Sequence, residues 1–153
     1  MNRQLLSIAL LAIGSIHGAQ AEVRPTATPD ELIAARKASM EAQSSLLAAV
    51  MQAIVINADI RPFAATGEAI ATWGRDVLDL FPEGTEAGSD TQARPAVWAD
   101  RAGFEKAAAK LTEAAQAMAK AAANGDQVEF IKAYRGTMLA CAACHVTYRF
   151  GRN

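Results

Sequence analysis

With 153 residues, the chain has room for one compact domain with a single core and is too short for two ordinary ones. Its formal net charge is −1 at pH 7, and no basic stripe with interleaved aromatic residues runs through it, which argues against a nucleic-acid partner. Alanine is abundant, β-branched runs are short and nothing alternates with period two, so the fold class expected is all-α.

Residues 1–21 read as an export signal, with Arg3 in a positive first segment, an apolar run from Leu5 to Ile16, and Ala19-Gln20-Ala21 as a small-residue cleavage site. A membrane span takes about 18 apolar residues or more. This run is shorter and is broken by Ser7, Gly14 and Ser15, so residues 22–153 are expected as an exported, periplasmic domain without a membrane span.

The first helix opens at Thr28-Pro29-Asp30-Glu31, a capping-box pattern with proline at the first helical position. Leu32, Arg36, Met40, Gln43, Leu47, Val50, Met51 and Ile54 then recur at three- and four-residue steps. Arg36 on this apolar face needs an anionic partner, or else snorkels to the surface. The second helix is expected from Asp59–Pro62 to about Leu80, with Phe63, Gly67, Ile70, Gly74, Val77 and Phe81 on one stripe. Two glycines on a buried face point either to close approach by a backbone or flat ligand, or to tight helix packing.

Residues 81–95 form the one long loop, rich in Gly, Pro, Ser, Thr and acids. A third helix is expected from Pro95 to about Ala123, carrying Val97, Phe104, Ala108, Leu111, Ala115, Met118 and Ala122. Asn124-Gly125 stops it, and Asp126 with Glu129 restarts a fourth, so these two are antiparallel neighbours. That last helix turns Phe130, Tyr134, Met138, Cys141, Cys144, His145 and Tyr148 toward one side. Four such helices make an antiparallel up-and-down bundle, whose core commonly houses a cofactor.

The chemistry lies in Cys141-Ala142-Ala143-Cys144-His145. Helical residues three apart differ by about 300° of rotation, so the two thiols project to one side with the imidazole close by. C-x-x-C-H is the c-type haem attachment pattern, and chance produces it in such a chain on the order of one time in a thousand or less. A zinc site lacks ligands, since the other histidine, His17, belongs to the export signal. A thioredoxin-like dithiol expects a βαβ setting, and a structural disulfide over so small a loop stabilises little. One covalently bound haem c in the core, with His145 as an axial ligand of the iron, is therefore expected.

The sixth position decides the chemistry: methionine suits electron transfer, and an open apolar site admits small gases. None of the eight residues after His145 is Met, His or Cys, so the group facing it is expected upstream. Met138 shares the motif's own helix, Met118 reads as core, and Met40 stands one turn after Arg36 on the first helix.

These features resemble the cytochrome c′ superfamily, the class II c-type cytochromes, over nearly all of residues 22–153. "CAACHVTYRF" carries most of the resemblance, followed by "ELIAARKASM" and "FPEGTEAGSDTQARPAVW". It implies thioether bonds at Cys141 and Cys144, His145 as proximal ligand, and Tyr148 and Arg149 shaping the proximal side. It further implies Arg36 near a haem propionate, Met40 as the distal residue, and Thr85 and Glu86 beside the haem edge. Low-spin members bind a methionine from the first helix, whereas in cytochrome c′ proper that residue only blocks the pocket. Compared with cytochrome c′, the connection around Asn57 to Pro62 is short.

The leading expectation is an exported monohaem cytochrome that passes single electrons to redox partner proteins and is not an enzyme. The alternative is a five-coordinate haem protein that binds small gases such as NO or CO at a vacant distal site. A dithiol oxidoreductase is a third reading. Family members are often homodimers through the first two helices, for which Leu46, Ile56 and Ile60 are the apolar candidates.

Overall fold

Helix α1, Pro29–Val55, starts where the sequence says it should, because Thr28 and Glu31 cap each other reciprocally. Glu31 N donates to Thr28 Oγ1 at 3.3 Å and Thr28 N donates to a Glu31 carboxylate oxygen at 2.7 Å. Such a cap stabilises a helix by about 1 kcal/mol. The structure, a computed structural model, describes residues 27–87 and 90–151. The expected export signal lies outside them.

The second expected helix is built in three pieces: a 3-10 turn at Arg61–Phe63, α2 at Ala64–Asp76, and a second 3-10 turn at Val77–Leu80. Pro62 sits in the opening turn, and Asp59 Oδ1 accepts from Arg61 N at 3.1 Å. The third expected helix is interrupted. A one-turn α3, Ala96–Ala99, ends at Asp100, and α4, Arg101–Asn124, begins directly after it. Asp100 leaves the helical region at φ −120° and ψ 58°, and its Oδ1 accepts from Gly103 N at 3.1 Å. A short polar side chain that bonds the backbone two or three residues on competes with helix continuation.

Gly125 closes α4 in the left-handed region at φ 68°. Asp126 then caps α5, Gln127–Tyr148, by accepting from Glu129 N at 3.0 Å. Only this half of the capping box forms here, since the Glu129 carboxylate pairs with Lys132 instead.

The long helices α1, α2, α4 and α5 form an all-α, up-and-down four-helix bundle. Backbones come closest between α2 and α4 and between α4 and α5, whereas α1 approaches another backbone chiefly at Val77–Leu80. Gly67 and Gly74 explain the first contact. A Cβ at Gly67 would stand 2.7 Å from the Ala119 backbone nitrogen, and one at Gly74 would stand 2.7 Å from Thr112 Oγ1. Tight helix packing is therefore what the two glycines serve.

The core divides along the bundle axis. One cluster joins Leu47, Val50, Ile60, Ile70, Leu111, Met118 and Phe130, and the other joins Val77, Phe81, Val97, Phe104, Ala108 and Tyr148. Met118 is fully buried as ordinary core. Ile60 is 2% exposed, which removes it from the residues able to meet a second copy, while Ile56 is 72% exposed and Leu46 packs partly against the core. Among the described residues no helix is long and apolar enough to cross a membrane.

Candidate functional site

Because α1 stands off from α2, α4 and α5, the bundle holds a cleft of about 510 Å³. That volume falls in the range of ordinary cofactor sites. Cys141, Cys144 and His145 of α5 line it, together with Met40, Gln43 and Leu47 of α1. Trp73 and Val77 close one side, and Phe104, Ala108 and Leu111 of α4 close another. Met51 and Met138, each 43% exposed, stand at its mouth.

Burial pushes both thiols up, Cys144 to about 11 with Cys141 adding to the effect. A dithiol that attacks a disulfide must do so as a thiolate, which this environment disfavours. Burial, then Arg149, hold the His145 imidazole below its ordinary value, so the ring is the neutral donor that a metal requires. Among the described residues no group of three or more Cys, His, Asp or Glu side chains gathers to hold a metal ion directly.

Beyond Met40 along α1, Arg36 is buried, with 4% exposure, and does not snorkel. Its Nη2 donates to the Thr85 carbonyl at 3.1 Å, and Nη1 lies 3.5 Å from Thr85 Oγ1. The guanidinium stacks 4.5 Å from the Phe81 ring centroid and 5.9 Å from that of Trp98. These partners are a carbonyl, a hydroxyl and two ring faces, and none is an anion. Burial lowers the Arg36 pKa, and Glu86 pulls it back by charge alone. The Glu86 carboxylate itself is exposed and accepts from Gly84 N at 3.1 Å. A cation buried against neutral groups is suited to an anionic substituent of a bound cofactor.

Thr85 is 2% exposed and holds the loop by donating to the Pro82 carbonyl at 2.8 Å. Trp98 Nε1 donates to the same carbonyl at 3.0 Å, and Arg101 donates to the Phe81 and Leu78 carbonyls. The loop thus reaches Arg36 as a fixed wall.

Tyr148 and Arg149 leave the cleft to the other residues. The Tyr148 hydroxyl donates to Asp100 Oδ2 at 2.9 Å, and its ring meets Phe104 edge-on at 5.2 Å. Asp100 therefore caps α4 and clamps the end of α5 with one carboxylate. Gly103 makes room for this, since a Cβ there would stand 2.1 Å from Asp100 Oδ2. Arg149 donates twice to Gln92 Oε1, while Arg94 N donates to the Tyr148 carbonyl at 2.9 Å.

Sequence reasoning missed Asp100, Arg101 and Trp73 as parts of this arrangement, and it read Gln43 as one more stripe position. Four buried side-chain polar atoms lack a hydrogen-bond partner among the described residues, and two of them, Gln43 Oε1 and Trp73 Nε1, belong to residues lining the cleft. A buried cation without an anionic partner and an inward C-x-x-C-H run together fit a cofactor with an anionic edge.

A helical bundle whose internal cleft carries C-x-x-C-H on one wall defines a class, that of the c-type haem proteins. The family model described as Cytochrome C′ matches residues 31–149, and the chain belongs to that family, which implies covalently bound haem c. The chain is 33% identical over 127 residues to cytochrome c′ of Pararhodospirillum photometricum, covering 80% of this chain and 99% of that relative. The crystal structure of cytochrome c′ from Rubrivivax gelatinosus shares 29% identity and superposes with a TM-score of 0.72, over 80% of this chain and 97% of that one. A nitric oxide complex of a mutant cytochrome c prime from Alcaligenes xylosoxidans shares 25% identity with a TM-score of 0.74, over 83% and 99%.

Proposed function

We propose that the protein is a periplasmic monohaem binding protein, not an enzyme, that takes a small gaseous ligand on the cleft side facing His145. Cys141 and Cys144 hold one haem c by thioether bonds, and His145 supplies the proximal nitrogen. Arg36, set by Thr85 and the Phe81 and Trp98 rings, offers its charge to a propionate. Met40 stands on the opposite wall as a lid. The bound haem supplies an iron that changes oxidation state by one electron and binds diatomic molecules. The chain supplies a mostly apolar wall, a neutral imidazole and a buried cation.

The observation that carries this reading is the mostly apolar cleft of about 510 Å³, which Cys141, Cys144 and His145 line together with Met40. The Alcaligenes relative, solved with nitric oxide, supports it. Electron transfer between redox partner proteins is the second reading, and the Met40 thioether on the same wall favours it, because methionine ligation raises the potential. Self-association through the first two helices would bring in Ile56, exposed at the end of α1.

The ferrous spectrum with and without carbon monoxide separates the two. Gas binding requires a high-spin spectrum that moves when the gas is added. A six-coordinate low-spin spectrum indifferent to the gas would establish Met40 as ligand and electron transfer as the role, and Met40→Ala should then open the site.

A further inference from the structure

A second, smaller hollow of about 230 Å³ lies on the seam between α4 and α5. Gly103, Ala107, Ala140 and Ala143 give it a lining of small side chains, and Ala143 and Thr147 are exposed to solvent. Ala107 and Cys144 are the two residues that line both this hollow and the larger cleft. Cys144, a thioether anchor in the reading above, therefore borders the cleft on one side and the outer hollow on the other.

Charge is distributed unevenly around this hollow. Lys106 and Lys110, one turn apart on α4 and both exposed, line it, and no carboxylate does. Neither lysine is in an ion pair among the described residues, whereas Lys37 and Lys132 are. The acidic neighbours are engaged: Asp100 accepts from Gly103 N and from the Tyr148 hydroxyl, and Glu105 pairs with Arg101. Glu113, three residues past Lys110, stands outside the lining. The chain as a whole carries a formal −1, so net charge draws no anion to the molecule and the attraction at this hollow is local.

We propose that the hollow is the docking site of an acidic one-electron redox protein, whose carboxylates meet Lys106 and Lys110 and which exchanges electrons with the haem across Cys144. This inference rests on the haem attachment at Cys144 in the reading above and is independent of gas binding. One electron passes between partner and iron, so one centre is oxidised as the other is reduced, and no bond is made or broken and no proton moves. The small side chains let an opposing surface come close to the cysteine. The lysines steer and register that surface by charge, which reaches about 10 Å at 0.1 M ionic strength.

The test compares the haem-loaded protein with two double variants. Lys106→Gln with Lys110→Gln removes the charge of the hollow. Lys120→Gln with Lys132→Gln removes equal charge from exposed residues that do not line it. The readouts are the rate at which ferricyanide oxidises the ferrous protein at low ionic strength, and the calorimetric affinity for poly-L-glutamate as an acidic polypeptide. The first variant should slow ferricyanide and weaken poly-L-glutamate binding by about fivefold each, and the second should change either by less than about twofold. Equal effects from both variants, or none from either, would overturn the proposal. A selective loss for ferricyanide alone would leave a site for small anions only, and one for poly-L-glutamate alone would separate docking from the electron path; either overturns it. In all these outcomes the haem reading stands, whereas a parent protein without covalent haem would sink both.

Discussion

The two ends of the bundle solve opposite problems with the same four helices. At the end that holds Phe130, Ile70 and Met118, each at most 1% exposed, α2 presses on α4 so closely that Gly67 has no room for a methyl group. At the other, more open end α1 comes nearest another backbone at Val77–Leu80, aromatic rings and a pinned loop enclose a buried arginine, and the cleft begins beside them and is lined from both clusters. The closed end supplies stability through apolar burial, and at the open end Met40, Val77 and Cys144 turn part of the wall toward the cleft. Polar groups differ in kind: the closed end buries the Thr137 hydroxyl, which donates back to the Ala133 carbonyl of its own helix, while the open end buries the charge of Arg36 against Thr85.

The largest test of that contrast is truncation at each end. Phe130→Ala should cost about 3–5 kcal/mol, because a completely buried ring leaves a cavity that the packed helices cannot close. Met40→Ala, at the wall of an existing cleft, should cost well under half of that. Denaturant unfolding of the two haem-loaded variants measures both, and equal losses would erase the distinction between the ends.

The glycine pair sharpens it further. Gly67→Ala should destabilise by about 2 kcal/mol despite the gain in helix propensity, since the new methyl meets the Ala119 backbone and side chain and the helices must part. Gly74→Ala should cost less, since the nearest backbone atom to its new methyl, Thr112 N, stands at 3.3 Å, against 2.7 Å for Ala119 N at Gly67. A larger loss at Gly74 would place the tightest approach elsewhere.

Tyr148→Phe is the smallest change. It removes one hydrogen bond to Asp100 and should cost about 1 kcal/mol, read as a modest fall in the unfolding midpoint with α4 intact. A loss several times larger would mean that the Asp100 clamp, and not the apolar core, closes the open end.

Much of this was legible in the chain. The α1 cap, the Gly125 stop and the Asp126 cap are local signals, and each is formed by residues within a few positions of one another. The C-x-x-C-H run was legible because helical rotation alone puts both thiols and the imidazole on one wall. Arg36 stood out as a charge on an apolar stripe, although only the fold shows that two rings and a carbonyl enclose it. The break at Asp100 was hidden because helix-forming residues flank it on both sides, and the hydroxyl that fixes its carboxylate comes from 48 residues away. Trp73 was equally hidden: it enters the cleft because Gly67 and Gly74 set how α2 lies on α4, a tertiary effect with no local pattern.

The central claim is that the cleft between the two clusters is a haem site anchored at Cys141 and Cys144. Mass analysis of the full-length gene product from a host that matures c-type haem tests it most directly. The expected result is one haem added per chain, retained under denaturing conditions and carried by the fragment that contains both cysteines. A bare chain, or one with Cys141 and Cys144 merely oxidised to a disulfide, would contradict it.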